Sequence, residues 1–159
     1  MQASNMDIIR LTLDTLTDSI FEQMVDIEAN CGIFSYPPDV LRECIRIGDT
    51  YACMDDETVA GFITVDPAAT DYFDTSLHIV NVNVATAYRR QGLAQMMIRT
   101  VCGYYANSHA GLMVTLDVEK TNVPARSLYE KLGFVASDMS SENGPTDLVM
   151  VVALEQLIA

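Results

Sequence analysis

The first segment suited to chemistry is a basic, glycine-containing turn between a predicted strand and a predicted helix. It consists of Arg89, Arg90, Gln91, Gly92, Leu93 and Ala94. The first backbone N–H groups of a helix have no intrahelical partner, and the helix dipole favours negative charge there. Gly92 and the small Ala94 let an anionic group approach these N–H groups, which suits a pyrophosphate. Glycine also opens helices for packing reasons alone, and that alternative stays open at this point.

The turn lies in the basic part of an otherwise acidic chain. The 159 residues carry a net charge of −13. The stretch 89–131 holds six basic and three acidic residues, a charge of +3, which leaves −16 for the remainder. This distribution fits an anionic ligand at the basic stretch and attraction of cations, including protonated amines, elsewhere. A chance cluster of solvated helix faces produces the same count, and charge alone does not separate the two explanations.

Composition excludes several classes of protein. Half of the residues are hydrophobic and the mean hydropathy is +0.18, which excludes a disordered chain. The length fits one domain covering residues 1–159. The strong negative charge argues against a nucleic acid as partner, because phosphate contacts need clustered Lys and Arg. The longest apolar run, 148–154, is far shorter than the roughly 20 residues of a membrane helix, so we expect no membrane partner.

The cysteines and histidines indicate a reducing compartment and no metal. Four cysteines are scattered without a C-x-x-C pair, as expected of reduced, mostly buried thiols in a cytoplasmic protein. His78 and His109 are too isolated to suggest a zinc site. No basic residue precedes Arg10 and no apolar core follows it, so the sequence predicts no secretory signal.

The hydrophobic pattern supplies the elements that must position the basic turn. It predicts strands at 7–13, 50–54, 58–65, 77–84, 112–118, 134–136 and 148–154, and helices at 16–31, 40–47, 92–108 and 122–132. This is an α/β (α+β) domain with a mixed, mostly antiparallel sheet of about seven strands and four helices. The alternation in 77–84 slips by one residue near Ile79 and Val80, which indicates either a β-bulge or a strand buried on both faces.

The segment 122–134 (NVPARSLYEKLGF), together with Val82-Asn83-Val84 and the basic turn, resembles the GNAT superfamily of acyl-CoA-dependent N-acyltransferases. The likeness follows the predicted element order from 7 to 154 and is specific from 82 to 134. It is nearest to the ribosomal-protein-alanine acetyltransferase branch, in which an acid stands five residues before the Asn and twelve before the Tyr. Here that acid is Asp117. The GNAT fold also implies a bulge in the fourth strand, which favours the bulge near Ile79.

The resemblance implies a cosubstrate and a set of residues that bind it. The backbone at Val82 and Val84 would pair with the pantetheine arm and acetyl carbonyl of acetyl-CoA, and Asn122 would hydrogen-bond the same molecule. The pyrophosphate would lie against Arg89, Arg90, Gln91, Gly92, Leu93, Ala94 and Gln95. Ala94 replaces the more common glycine, which narrows the cradle slightly. No metal is implied.

The resemblance also assigns proton transfer to Tyr129 and Asp117. An acceptor amine, with a pKa of about 10.4, must lose a proton before it attacks. Asp117, with an ordinary pKa of about 3.9, is a weak base, so a water relay is more favourable than direct abstraction. Tyr129, at about 10, protonates a departing thiolate whose pKa is about 8.5. The alternatives are a packed aromatic ring at Tyr129 and an ordinary polar strand residue at Asp117.

The acceptor is an amine whose identity the sequence leaves open. Phe34 and Tyr36 lie where the family places its acceptor-binding loop, although simple anchoring to the core explains them equally well. The segment 137–147 is polar and acidic, without the aromatic, Arg-rich pattern of the ribosomal branch. A small cationic amine, a polyamine or another peptide N-terminus therefore fits better. A non-catalytic acyl-CoA-binding or sensing module is the alternative function, and a homodimer stays open.

Overall fold

The computed structural model describes residues 6–31, 35–69, 72–73, 76–107 and 112–159. The strands are β1 (Asp7–Leu11), β2 (Asp49–Asp55), β3 (Thr58–Ala69), β4 (Ser76–Val84), β5 (Met113–Glu119), β6 (Val135–Ser140) and β7 (Asp147–Ala153). The helices are α1 (Asp18–Ala29), α2 (Pro38–Ile47), α3 (Leu93–Gly103), α4 (Val123–Lys131) and the single-turn α5 (Leu154–Leu157). A 3₁₀ turn covers Thr86–Tyr88. The predicted order of strands and the four longer helices is confirmed.

The strands form one mixed sheet in the order β1-β2-β3-β4-β5-β7-β6. Four of the pairings for which a register is described are antiparallel: β1 with β2, β2 with β3, β5 with β7, and β6 with β7. The pair β4 and β5 is parallel, and its register runs from Ser76↔Met113 to Ile79↔Leu116. The mostly antiparallel sheet is therefore confirmed. The parallel register ends at the position where the alternation slips, and the bulge itself stays a prediction.

Local sequence signals explain where the helices begin. Thr17 starts α1, because its side-chain oxygen accepts a hydrogen bond from the N–H of Ile20 at 3.1 Å. Pro38 occupies the first turn of α2, where a missing N–H costs nothing. Asn122 caps α4 through a 3.3 Å hydrogen bond from Ala125, as the sequence predicts.

Several elements differ in length from the prediction, among them β3, which extends to Ala69 and not to residue 65, and also α3 and β6. Helix α3 ends at Gly103 and not near residue 108, because the chain then tightens into turns with i→i−3 hydrogen bonds such as Tyr104 N–H to Val101 O at 3.1 Å. Strand β6 continues through polar residues to Ser140. Pairing with β7 supplies the backbone hydrogen bonds there, with a register shift between Ala136 and Ser140, and so overrides the weak local preference.

The chain divides into two compact units. The first comprises Met1–Val65 and Asn81–Ile98, and the second Asp66–Val80 and Arg99–Ala159. A single domain over 1–159 stays a prediction. The core of the first unit contains Leu11, Met24, Ile27, Leu41, Ile45, Ala52, Met54, Val59 and Phe62. The second buries apolar residues of β5 and β7 beside Leu132 and Phe134.

All four cysteines are present as thiols. Cys53 and Cys102 are buried, while Cys31 and Cys44 are half-buried. Burial raises the pKa of Cys102 to about 12, which makes it a poor nucleophile. None of the described helices, the longest of which has twelve residues, is long and apolar enough to cross a bilayer.

Candidate functional site

The turn that opens α3 belongs to the first unit and has an unusual backbone. Arg90 has a φ of 63° and Gly92 a φ of 74°, so two residues of this short turn adopt the left-handed conformation. The first N–H groups of α3 have no intrahelical acceptor, since the i→i−4 pattern begins with Met96 N–H to Gly92 O at 3.1 Å. Turns of this kind direct successive N–H groups toward one point and bind anions.

Space beside Gly92 is open. A Cβ atom built on Gly92 would meet no heavy atom within 4 Å. Close packing at this position therefore does not call for glycine, whereas the positive φ favours it. An open, left-handed turn at a helix N-terminus fits a pyrophosphate group.

Val82 and Val84 lie at the end of β4, beyond Ile79, where the described pairing with β5 stops. The strand is held on its other side: the N–H of Ala85 donates to the carbonyl oxygen of Ala60 at 2.8 Å. Both valines are half-buried.

Arg89 has partners within the first unit. Its Nε donates to the carbonyl oxygen of Val84 at 3.2 Å and its Nη2 to that of Asn30 at 3.0 Å. The guanidinium thus bridges the end of β4 and the C-cap of α1. Nearby, Tyr88 donates its hydroxyl hydrogen to Asp55 at 2.6 Å, a bond that raises the pKa of Tyr88. Arg89 and Tyr88 therefore both anchor the segment that leads into the turn.

Several basic side chains of the stretch 89–131 donate to backbone carbonyls. Besides Arg89, Arg99 donates to Leu157 O at 3.3 Å, and Arg126 donates to Lys120 O at 2.9 Å. Arg90 is exposed. Arg89 is exposed as well, and of the two arginines it is Arg90 that has the left-handed backbone.

Asn122 and Tyr129 lie on α4 in the second unit. The cap of α4 uses the side-chain oxygen of Asn122, and its amide nitrogen is not needed for the cap. Tyr129 is half-buried and meets Phe134 edge-on, with ring centroids 5.9 Å apart and an interplanar angle of 64°. Burial raises the pKa of Tyr129 to about 12, so its hydroxyl keeps its proton at neutral pH.

Asp117 on β5 is the centre of a hydrogen-bond network in the second unit. Its Oδ1 accepts from Tyr72 Oη at 2.6 Å and from Ser141 Oγ at 2.7 Å, and its Oδ2 lies 3.3 Å from His78 Nε2. Burial alone would raise the pKa of Asp117. The hydrogen bonds from His78, Ser141 and Tyr72 together have the larger effect, so the pKa of Asp117 is lowered. A carboxyl group stabilised in this way is a poor proton acceptor.

The network extends to the turn between β6 and β7. His78 Nδ1 lies 2.7 Å from the hydroxyl of Thr115, and Tyr72 Oη accepts the N–H of Glu142 at 2.9 Å. Ser141 Oγ accepts the N–H of Asn143 at 3.0 Å. None of the hydrogen bonds described for Asp117 goes to Asn122 or Tyr129.

The two predicted acceptor residues have different outcomes. Phe34 lies outside the described residues. Tyr36 is half-buried and packs against the core of the first unit, as do Leu16, Ile20 and Phe21. Core anchoring therefore accounts for part of its surface, and acceptor binding by Tyr36 stays a prediction.

Two polar groups are absent from the sequence-based site. One is the trio Tyr72, His78 and Ser141 around Asp117, which no local spacing brings together. The other is Glu28, a buried acid with asparagine partners on β4. A signal existed for Glu28, because it lies on the apolar stripe of α1 beside Met24 and Ile27, where an acid must find donors.

The described part of the chain offers no cluster of metal ligands. Among residues 6–31, 35–69, 72–73, 76–107 and 112–159, no group of three or more His, Cys, Asp or Glu side chains is arranged to hold a metal ion.

Comparisons with known proteins point in the same direction as this geometry. Residues 21–134 match the Acetyltransferase (GNAT) family. The chain is 35% identical over 57 residues to an N-alpha-acetyltransferase of Saccharolobus solfataricus, covering 36% of this chain and 34% of that protein. It is 31% identical over 90 residues to a mycothiol acetyltransferase of Corynebacterium glutamicum, covering 57% of this chain and 29% of that protein. The matches thus span about a third of each curated relative.

A solved structure shows the same fold. The ribosomal-protein-S18-alanine N-acetyltransferase of Escherichia coli superimposes with a TM-score of 0.72 over 94% of both chains. Its sequence is 18% identical. This likeness concerns the fold alone.

Proposed function

The chain belongs to the acetyltransferase (GNAT) family, and from this premise we propose that it transfers an acetyl group from acetyl-CoA to a primary amine by direct attack. The observation that carries the proposal is the left-handed turn at Arg90 and Gly92, which follows β4 after the 3₁₀ turn Thr86–Tyr88 and leads into α3, whose first N–H groups have no intrahelical acceptor. Acetyl-CoA supplies the activated acetyl group. The chain's own residues bind and orient it and move protons.

We assign the binding of acetyl-CoA mainly to the first unit. The backbone of Val82 and Val84 takes the pantetheine arm, and the turn from Arg90 to Gln95 takes the pyrophosphate, with Arg89 fixing the turn. The family resemblance adds Asn122, whose amide nitrogen is not needed for the cap of α4, as a further hydrogen-bond donor. The N–H groups of the turn that lack an intrahelical acceptor and the end of the β4–β5 register support this assignment.

We assign the proton donor to Tyr129 and a positioning role to Asp117. The raised pKa keeps the hydroxyl of Tyr129 protonated at neutral pH, so it is available to hydrogen-bond the departing thiolate and to supply its proton. The same shift makes Tyr129 a weaker acid and does not itself favour the transfer. Asp117, with its lowered pKa, is better suited to hold His78, Tyr72 and Ser141 than to remove a proton from the amine directly. A water relay therefore remains the favoured route for the amine proton.

The acceptor is a primary amine: a small cationic amine, a polyamine or a peptide N-terminus. The two curated relatives differ in what their names imply, so they do not choose among these classes. The charge of −16 outside the stretch 89–131 favours a cationic acceptor by attraction and association rate. A cytoplasmic location and a homodimer are parts of the same proposal.

Release of CoA thiol with a panel of amines tests the function. The panel contains a diamine, spermidine and short peptides with free N-termini, each also supplied in an N-blocked form as the matched control. Turnover with at least one free amine and none with its blocked form is the expected result. Thermal stabilisation by CoA without turnover for any amine would instead identify the non-catalytic acyl-CoA-binding module. No stabilisation by CoA would contradict both.

A further inference from the structure

Glu28 is a buried acid for which the proposed reaction has no use. Its exposed fraction is 2%, and it lies on the buried side of α1 with Met24 and Ile27. A buried carboxyl group costs several kcal/mol unless donors surround it, and an apolar side chain avoids that cost altogether. The groups that donate hydrogen bonds to Glu28 therefore indicate its role in the structure.

One oxygen of Glu28 binds the end of β4. Oε1 accepts from Asn81 Nδ2 at 2.7 Å and from Asn83 Nδ2 at 2.8 Å. Asn83 Nδ2 also donates to Asn81 Oδ1 at 3.0 Å. The two asparagines are alternate residues on one face of the strand, and they flank Val82. Glu28 therefore fixes the stretch of β4 whose backbone is proposed to hold the pantetheine arm.

The other oxygen of Glu28 binds the chain that leads from α1 to α2. Oε2 accepts from the backbone N–H of Tyr36 at 3.2 Å and from the thiol of Cys31 at 3.3 Å. Burial and the hydrogen bond to Glu28 raise the pKa of Cys31 to about 11, so the thiol retains the proton that it donates. One carboxyl group thus joins Tyr36 to β4.

Arg89 makes a second bridge between the same two parts. Its guanidinium joins the carbonyl oxygen of Val84, at the end of β4, to that of Asn30, at the end of α1. Charged groups make stronger hydrogen bonds than neutral ones. The end of α1 is therefore tied to β4 at two points, by an acid and by a base.

We infer that Glu28 is a positioning residue that sets the acceptor-binding segment at Tyr36 against the acyl-binding end of β4. This inference rests on the proposed acetyl transfer and on the prediction that Tyr36 contacts the amine. Glu28 itself is too deeply buried to touch a substrate. Its Oε2 side acts on the placement of the amine through Tyr36, while its Oε1 side holds the end of β4.

Glu28→Gln separates an effect on amine binding from an effect on CoA binding. The amide oxygen can still accept from Asn81 and Asn83, but the amide nitrogen then faces the N–H of Tyr36 and the thiol of Cys31, donor against donor. We expect the KM for the amine to rise about tenfold, equivalent to about 1.4 kcal/mol, while the Kd for CoA stays within twofold. Glu22→Gln, the same change at an exposed position of α1, leaves both constants unaltered. A change in amine KM below fivefold, or an equal loss of CoA affinity, overturns the inference.

Amide hydrogen exchange tests the bridge without any turnover. In Glu28→Gln, the Tyr36 N–H should exchange about tenfold faster than in the wild type, in line with the lost hydrogen bond. The Val59 N–H is the internal control, because it donates to Gln23 Oε1 on the same helix at 2.8 Å and should not change. Unaltered exchange at Tyr36 refutes the bridge. A wild-type protein that acetylates no amine refutes the proposed function, and the exchange result remains decisive for the bridge.

A milder variant covers the case in which Glu28→Gln does not fold. Asn83→Ala leaves the acid in place and removes one of the two donors from Oε1. We expect a rise of about threefold in amine KM, a smaller effect of the same kind, since the other donor remains. An amine KM equal to that of the wild type in a folded Asn83→Ala protein counts against the inference.

Discussion

Tyr72 donates its hydroxyl hydrogen to Oδ1 of Asp117 across 2.6 Å. The same carboxylate oxygen accepts from Ser141, and the other lies beside His78, so β5 is joined to β4 and to the turn before β7 through one acid. An acid with this many donors serves primarily to order its surroundings.

Asp117→Asn should lower the free energy of unfolding by about 1–3 kcal/mol at pH 7, because the network loses a charged acceptor. The pKa of Asp117 is lowered in the folded protein, so its contribution is present above its ordinary value of about 3.9 and is lost as the pH falls through the folded value. The difference between wild type and variant should therefore narrow below about pH 4. Urea unfolding from pH 7 to pH 3 measures it.

Asp138→Asn is the control for this prediction, since Asp138 is an acid of β6 in the same unit and outside the network of Asp117. It should change the unfolding free energy by less than about 0.5 kcal/mol at every pH. A constant difference between Asp117→Asn and the wild type across this pH range contradicts the role given to the charge.

Tyr129→Phe should lower kcat by about a hundredfold or more, because the phenylalanine cannot donate a proton to the leaving thiolate. The melting temperature should stay close to that of the wild type, since the edge-on contact with Phe134 is kept. Tyr104→Phe, at a 52% exposed position, is the matched control and should leave kcat unaltered. Equal kcat values for Tyr129→Phe and the wild type would remove Tyr129 from the mechanism.

Gly92→Ala should raise the KM for acetyl-CoA by about fivefold or more, because the turn must leave the left-handed conformation or bear a strain of about 1–2 kcal/mol. The added Cβ atom meets nothing within 4 Å, so only the backbone is affected. Gly144→Ala combines a φ of 105° with equally open space, in the turn before β7. Gly144→Ala should lower the free energy of unfolding by a similar amount and leave the KM for acetyl-CoA unaltered. Equal increases in the KM for acetyl-CoA in Gly92→Ala and Gly144→Ala would contradict the proposed binding of acetyl-CoA at the turn before α3.

Gly61→Ala should destabilise the protein by about 1–3 kcal/mol, although removing a strand glycine ordinarily stabilises. The new Cβ atom would lie 2.7 Å from the carbonyl oxygen of Asn83 and 2.9 Å from Cε of Met97. The methionine can move, but the strand backbone at Asn83 resists displacement. In Gly103→Ala, at the end of α3, the nearest contact is Ile158 at 3.9 Å, so that variant should be neutral or more stable. Thermal unfolding that moves both variants in the same direction contradicts this account.

Hydrophobic periodicity and capping residues were sufficient to predict the order of the elements. The stripe of α1, the cap at Asn122 and the hairpin between β2 and β3 are local signals, and each is confirmed. The ends of α3 and β6 were less predictable. Backbone pairing with β7 extends β6 through residues whose own preferences favour a turn.

The family could be predicted from the sequence and is confirmed, because its motifs are contiguous and need only local geometry. The same motifs contain the basic turn, Asn122 and Tyr129, whose binding and catalytic roles stay predictions. Only the tertiary structure decided what surrounds the acids. Tyr72, His78 and Ser141 meet at Asp117, and Asn81, Asn83 and Tyr36 meet at Glu28. Hydrogen bonds between residues far apart in the chain leave no spacing to recognise, since they depend on the register and packing of separate elements. For the same reason the interpretation of the two acids changed. Asp117 was predicted as a candidate base and Glu28 had no predicted role, and we now propose a positioning role for both.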